Sequence, residues 1–260
     1  MKIIIITQED AFVVPKNIEK ITRLKGVEIL KVVDIDSDYS LVNKKAYFIK
    51  GFGIFQTIKM GMQVVSAKII NLVDSLTFHK LNIIPKSLKA VSSRYNIDFE
   101  RIKNPNDAKF LEKIKSLEPD LIVSYSAPVV FKKALLEIPK NGCINLHCSY
   151  LPNYAGVMPS FWTLYKKEKY TGATVHYMDS KIDNGKILNQ KKVEISNDET
   201  MFSLIIKSKE IGGNLMCETI QNIQSSNIEA KENLSANGSY FTWPTVEQLQ
   251  DFTKNGGRLI

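Results

Sequence analysis

Short apolar runs, each about the length of one strand, recur along this chain with helix-spaced segments between them. This alternation restricts the fold more than any other feature. The runs at 2–7, 27–35, 121–125, 142–147, 173–178 and 186–195 read as strands. The segments at 16–24, 158–167 and 198–224 carry helical spacing. A further helix is expected after Asn106 or Asp107 as cap, with Phe110, Leu111, Ile114 and Leu117 on one face and Pro119 beyond its end. Asp198 is expected to cap the long helix ahead of Met201, Leu204 and Ile205. Strands that alternate with helices give an α/β fold, a mostly parallel sheet with helices on both faces.

The length, 260 residues, suits one such domain with a short C-terminal extension. Residues 1–195 are expected to form the catalytic domain. Residues 196–260 are expected to form a C-terminal helix and short tail packed on it. The opening run is too short for a signal peptide and has no small-residue cleavage site. No uncharged apolar stretch is long enough to span a bilayer. The nearest, 47–73, is interrupted by Lys50, Lys59 and Lys68. Its plain reading is a pair of helices packed over the sheet; the sharper one is a surface for lipid or a partner. Cys143, Cys148 and Cys217 form an odd set without metal-ligand spacing. They fit a reducing cytoplasm, and no metal is expected. A net charge of +8 favours anionic partners, although the lysines are scattered.

The stretch INLHCSYLPNYAGV, at 144–157, holds the most chemistry. Residues two apart on a strand face the same way, so Asn145 and His147 project together while Leu146 and Cys148 face away. The strand breaks at Leu151 and Pro152, and ligands of open α/β sheets sit at such strand ends. Downstream, GATVHYMDSKIDNGKIL runs strand, loop, strand, with Asp179 and Asp183 in the loop. If these strands are neighbours, that loop hangs over the same sheet end. An amide, an imidazole and a carboxylate suit acyl transfer to an amine, which needs no protein nucleophile. Asn145 and a protonated His147 supply donors for a developing oxyanion. A carboxylate with a raised pKa moves the proton through a positioned water. Each residue also has a structural alternative: Asn145 closing the strand end, Asp183 shaping an Asn-Gly turn, Cys148 filling core.

The whole pattern carries more weight than its parts. N-x-H-x-S-x-L-P-x-Y-x-G followed by T-G-A-T-V-H-Y-M-D-x-x-I-D-x-G-x-I-L resembles the folate-dependent formyltransferases. These comprise the glycinamide ribonucleotide, methionyl-tRNA and sugar N-formyltransferases. The resemblance implies their Rossmann-like fold and a triad of Asn145, His147 and Asp183. It implies 10-formyltetrahydrofolate as formyl donor, its pterin held mainly by backbone at Ser126, Ala127, Val129 and Phe131 and at Met178, Asp179 and Ile182. His176 is implied as a supporting residue, with a packed strand histidine the alternative.

Departures from the family narrow the acceptor. The stretch after the first strand, TQEDAFVVPKN, has no glycine, unlike the phosphate loop of glycinamide ribonucleotide formyltransferases. The short tail is not expected to supply the C-terminal barrel domain of methionyl-tRNA formyltransferases. Ala155 stands where many relatives have a basic residue. With MKIIII beginning the first strand, the N-terminal regulatory domain of the hydrolases is not expected. The expected acceptor is therefore a nucleotide-linked amino sugar, contacted by Tyr154 and Trp243, with Trp162 packed in the core. A charged initiator tRNA is the alternative, and a non-catalytic folate- or nucleotide-binding module is the alternative from another class. A homodimer is in keeping with the family.

Overall fold

The computed structural model describes residues 1–36, 44–77 and 84–260. Strand β1 (Lys2–Thr7) lies in the interior of the sheet. It pairs in parallel with β2 (Glu28–Ile35), which pairs with β3 (Asp98–Ile102). On its other side β1 pairs in parallel with β4 (Leu121–Ser124), and β4 with β5 (Cys143–His147). After a two-residue strand β6 (Ala155–Gly156), β7 (Tyr170–Tyr177) and β8 (Ile187–Glu194) complete the sheet in antiparallel fashion. The order is β3-β2-β1-β4-β5-β7-β8. A second, two-stranded sheet joins β6 to β9 (Tyr240–Phe241).

The first strand shows why both faces are covered. Ile3 and Ile5 join one apolar cluster, Ile4 and Ile6 another, and all four are fully buried. Each such side chain contributes about 1.5–3 kcal/mol. On the Ile3 face lie α1 (Val14–Thr22), which presents Ile18 and Ile21, and further helices introduced below. Chain order continues with α2 (Lys44–Phe52), α3 (Ile54–Leu76), α4 (Leu88–Arg94), α5 (Ala108–Ser116) and α6 (Lys133–Leu136). Then follow α7 (Pro159–Tyr165), α8 (Met201–Gln224) and α9 (Val246–Lys254). Helices α4 and α8 share the Ile3 face through Val91, Met216 and Ile220, whereas α5 and α6 cover the Ile4 face through Ile114 and Leu135. A third cluster gathers Tyr47, Phe52, Phe161, Trp162, Met201, Leu249 and Phe252 from α2, α7, α8 and α9. Trp162 is core, as its helical spacing suggests, and its Nε1–H donates to the Thr242 carbonyl at 3.0 Å.

Three readings of the sequence change here. The 47–73 segment does form two helices, but α2 packs on α9 and α7, and most of α3 faces solvent. Strand β3 and helix α4 escape the apolar pattern because β3, DFERI, is a charged edge strand. Its Asp98 and Glu100 instead pair with the buried Lys31 of β2. Helix α8 begins at Met201 and its cap is Thr200, not Asp198. Thr200 Oγ1 accepts from the Ser203 N–H at 3.1 Å, and Ser203 Oγ accepts from the Thr200 N–H at 2.9 Å. This reciprocal pair satisfies donors that the first turn leaves open. Thr200→Ala should lower stability by about 1 kcal/mol, and Asp198→Ala should leave it within about 0.5 kcal/mol. Urea unfolding of the two variants measures the difference.

Candidate functional site

The chain turns from β1 toward β2 and β3 on one side, then returns to β4 on the other. This reversal opens a crevice at the carboxyl ends of β1 and β4. A cleft of about 520 Å³ lies there, bordered by Gln8, Ser126, Asn145, His147, His176 and Asp183. Its size falls in the usual range for small-molecule sites.

Asn145 and His147 project from β5 into the cleft, as strand alternation requires. The register of β5 and β7 places His176 directly opposite Asn145. Asp183 arrives by an unexpected route. Because β7 runs antiparallel to β5, the loop after β7 leaves near Cys143, whose carbonyl accepts from the Met178 N–H at 2.8 Å. It then folds back and brings its carboxylate between the two imidazoles. Asp183 Oδ2 lies 3.3 Å from His147 Nδ1, and Oδ1 lies 3.5 Å from His176 Nε2. The Gly156 N–H donates to Oδ2 at 2.8 Å, and Asn233 Nδ2 donates to the Asp183 carbonyl at 2.8 Å. Gly185 permits the fold-back, because a Cβ there would fall 1.9 Å from the Tyr177 carbonyl oxygen.

The hydrogen bonds restrict where protons sit. His147 Nε2–H donates to the Tyr154 carbonyl at 2.8 Å, and His176 Nδ1–H donates to the Tyr177 carbonyl at 2.8 Å. Each ring therefore turns its other nitrogen toward the Asp183 carboxylate. The His147 contact at 3.3 Å is attractive only if a proton lies between the two groups. Asn145 Nδ2 lies 3.3 Å from His176 Nε2, which accepts from that amide when the ring is neutral and donates to Asp183 when it is protonated; Asn145 Oδ1 accepts from the Ser126 N–H at 3.3 Å. One amide hydrogen of Asn145 remains for a ligand. Burial raises the Asp183 carboxyl, but His147, His176 and the Gly156 N–H together outweigh it and hold the group below the usual carboxylate range. A raised carboxyl pKa, expected from the sequence, is thus reversed, first by His147 and then by His176 and the Gly156 backbone donor.

All seven residues expected to face a pterin border the cleft: Ser126, Ala127, Val129 and Phe131 on one wall, Met178, Asp179 and Ile182 on the other. Residues 125–132 form neither helix nor strand, so their backbone is not taken up in a ladder, although the Ser126 and Ala127 N–H groups already donate to Asn145 Oδ1 and Ser124 Oγ. Val129, Phe131, Met178 and Ile182 add apolar walls, so these residues fit a flat folate head. Trp243 also borders the cleft and is 43% exposed. Tyr154 does not border it: the ring stacks on Phe241 at 5.3 Å and its hydroxyl donates to Glu168 at 2.6 Å. Its backbone carbonyl meets the site by accepting from His147 Nε2. Cys148 reaches the cleft edge, but burial raises its thiol and leaves it a poor nucleophile.

Two groups escaped the sequence. Lys209 of α8 borders the cleft and pairs with Asp10. Asp10 Oδ1 also accepts from the Phe12 and Val13 N–H groups, both at 2.8 Å, at the start of α1. An internal carboxylate thus occupies the helix end where a phosphate would bind. No local spacing announces this pair across 199 positions. Left-handed backbone at Ser126 (φ 70°), Tyr154 (59°), Met158 (55°) and Asp183 (49°) likewise has no glycine to mark it.

An amide, two imidazoles and a carboxylate at the edge of an open α/β sheet, with no competent nucleophile beside them, make a site suited to acyl transfer onto an amine. Comparison with known proteins agrees with that class. The Formyl transferase family model matches residues 59–220. A methionyl-tRNA formyltransferase of Thermodesulfovibrio yellowstonii is 35% identical over 150 residues, 58% of this chain and 49% of that protein. The chain spans about half the length of the curated relatives it matches. An N-formyltransferase from Helicobacter canadensis, solved with folinic acid and dTDP-3-aminofucose, has a TM-score of 0.59 at 21% identity, covering 93% of this chain and 71% of that one. Glycinamide ribonucleotide transformylase 1 from Symbiobacterium toebii has a TM-score of 0.62 at 14% identity, covering 89% and 94%. The chain belongs to the formyl transferase family and has its α/β fold.

The depressed Asp183 carboxyl makes a pH prediction. Its folded value lies below the ordinary 3.8, so ionised Asp183 contributes stability fully above that value. The contribution is lost as pH falls through the lower folded value. Asp183→Asn removes it, so urea midpoints of the variant should decline less steeply than those of the wild type between about pH 5 and 2.

Proposed function

We propose that the protein transfers a formyl group from 10-formyltetrahydrofolate to the primary amine of a nucleotide-linked amino sugar. The observation that carries the reaction is the Asp183 carboxylate held between His147 and His176 beside the Asn145 amide. Bound 10-formyltetrahydrofolate supplies the formyl carbon; its bond to the folate nitrogen breaks as the bond to the amine forms, and one proton passes from amine to departing nitrogen. The free hydrogen of Asn145 Nδ2 donates to the formyl oxygen as negative charge develops there. Ser126 keeps that amide oriented through Asn145 Oδ1. His147, fixed by the Tyr154 carbonyl, stabilises that charge as an imidazolium held by Asp183. A depressed carboxylate is a weak base, but an amine that has just attacked a carbonyl is strongly acidic. Asp183 therefore takes its proton, and the Asp183–His147 pair returns one to the departing nitrogen. The residues on the Ser126–Phe131 and Met178–Asp183 walls hold the folate head.

The acceptor rests on two features. The carboxylate of Asp10 fills the α1 end, which disfavours a ribonucleotide phosphate there. Trp243, exposed at the cleft, offers a face for a nucleobase. Formylation of charged methionyl-tRNA is the second reading, favoured by the names of the curated relatives.

The test is an assay with 10-formyltetrahydrofolate, a panel of amino-sugar nucleotides and, separately, charged initiator tRNA, read by folate release and product mass. A formylated sugar nucleotide is expected. Formylated methionyl-tRNA as the sole product would replace the acceptor, and folate binding without turnover would favour a non-catalytic module. Asn145→Ala should lower kcat about 10²–10³-fold with little change in KM.

A further inference from the structure

Helix α3 carries an exposed stripe unrelated to the cleft chemistry. Phe55, Ile58, Met62, Val65, Ile69, Leu72 and Leu76 follow one another at alternating steps of three and four. They are 51–82% exposed. The buried residues of the helix, Ala67 and Asp74, lie on the opposite side. Large exposed apolar patches of this kind mark an interaction surface.

The charges indicate what covers it. Lys59 and Lys68 flank the stripe, one on each side at roughly 90° around the helix. Lys45 and Lys50 of α2 are also exposed. The single acid on α2 and α3 is Asp74, which is buried and paired with Arg94 at 2.7 Å. A second copy of α3 would therefore bring lysines to the seam and no carboxylate to meet them. An anionic bilayer supplies both an apolar layer for the stripe and negative headgroups for the flanking lysines. Among the described residues no helix is long and apolar enough to cross a membrane, so the helix lies in the interface plane. We propose that α3 docks the protein on anionic membrane surfaces. Helix α2, which leads into α3, reaches the cleft mouth, where its Tyr47 lies edge-on to Trp243 with ring centroids 5.8 Å apart.

Co-sedimentation of the full chain with vesicles tests this, independently of formyl transfer. The wild type should pellet with phosphatidylcholine vesicles containing phosphatidylglycerol and far less with phosphatidylcholine alone. Lys59→Gln with Lys68→Gln should weaken partitioning about thirty-fold, about five-fold per lysine. Val65→Asp with Ile69→Asp should reduce it to background while leaving the thermal melt unchanged, because both sites are exposed. Failure of the wild type to pellet with the anionic vesicles would overturn the proposal, as would equal pelleting of the Val65→Asp/Ile69→Asp variant. A concentration-dependent dimer in sedimentation equilibrium, dissolved by that variant and without vesicle binding, would assign the stripe to a second copy instead.

Discussion

Taking a carboxylate out of water is costly unless charge and hydrogen bonds replace the lost solvent, and Asp183 imposes that condition on much of this molecule. Its oxygens need His147 from β5, His176 from β7 and the Gly156 N–H from β6. The register of β5 on β7 is what brings the two histidines to one face. Strand β6 is in turn held by β9 from the C-terminal tail, and Asn233 fixes the Asp183 backbone. Residues late in the chain thus complete a site whose motifs lie in its middle.

A second, partly buried charge pair ties another part of the cleft. Asp10 caps the backbone at the start of α1, and Lys209 of α8 neutralises it. Burial alone would lower the Lys209 ammonium, yet Asp10 and Cys148 beside it outweigh that and raise it. Breaking such a pair from one side leaves a poorly solvated charge without its partner. The pair therefore fixes α8 against α1 and sets the polarity of the cleft floor with one act of compensation.

Periodicity made most of the fold legible. Ile3 to Ile6 alternate between two covered faces, and β1, β2, β4 and β5 follow from runs of that type. Strand β3 did not, because an edge strand owes its place to ion pairs with Lys31 and not to an apolar pattern. In the site, Asn145, His147 and Asp183 were readable through two motifs, and alternation explains why the first two share a face. The fold-back of the Asp183 loop was not readable, since strand pairing direction is not encoded in the spacing of either strand. Nor was the direction of the Asp183 pKa, which depends on how near His147 is brought, on His176 lying across the strand pair and on a donor 27 positions away.

The outer end of the cleft joins these levels. Trp243 sits in the tail, but its position depends on α2: Tyr47 meets it edge-on, and the Tyr47 hydroxyl donates to the Pro244 carbonyl at 2.6 Å. Burial pushes the Tyr47 phenol up to about 12, so it stays protonated and keeps donating across the neutral range. Helix α2 also packs on α9 through Gly51, where a Cβ would fall 2.3 Å from Leu249 Cδ1. The tail is therefore clamped by the same helix that leads into α3. Trp243 thus joins the helix ahead of α3 to the cleft, and the β6–β9 pairing joins the same tail to Asp183 through the Gly156 N–H.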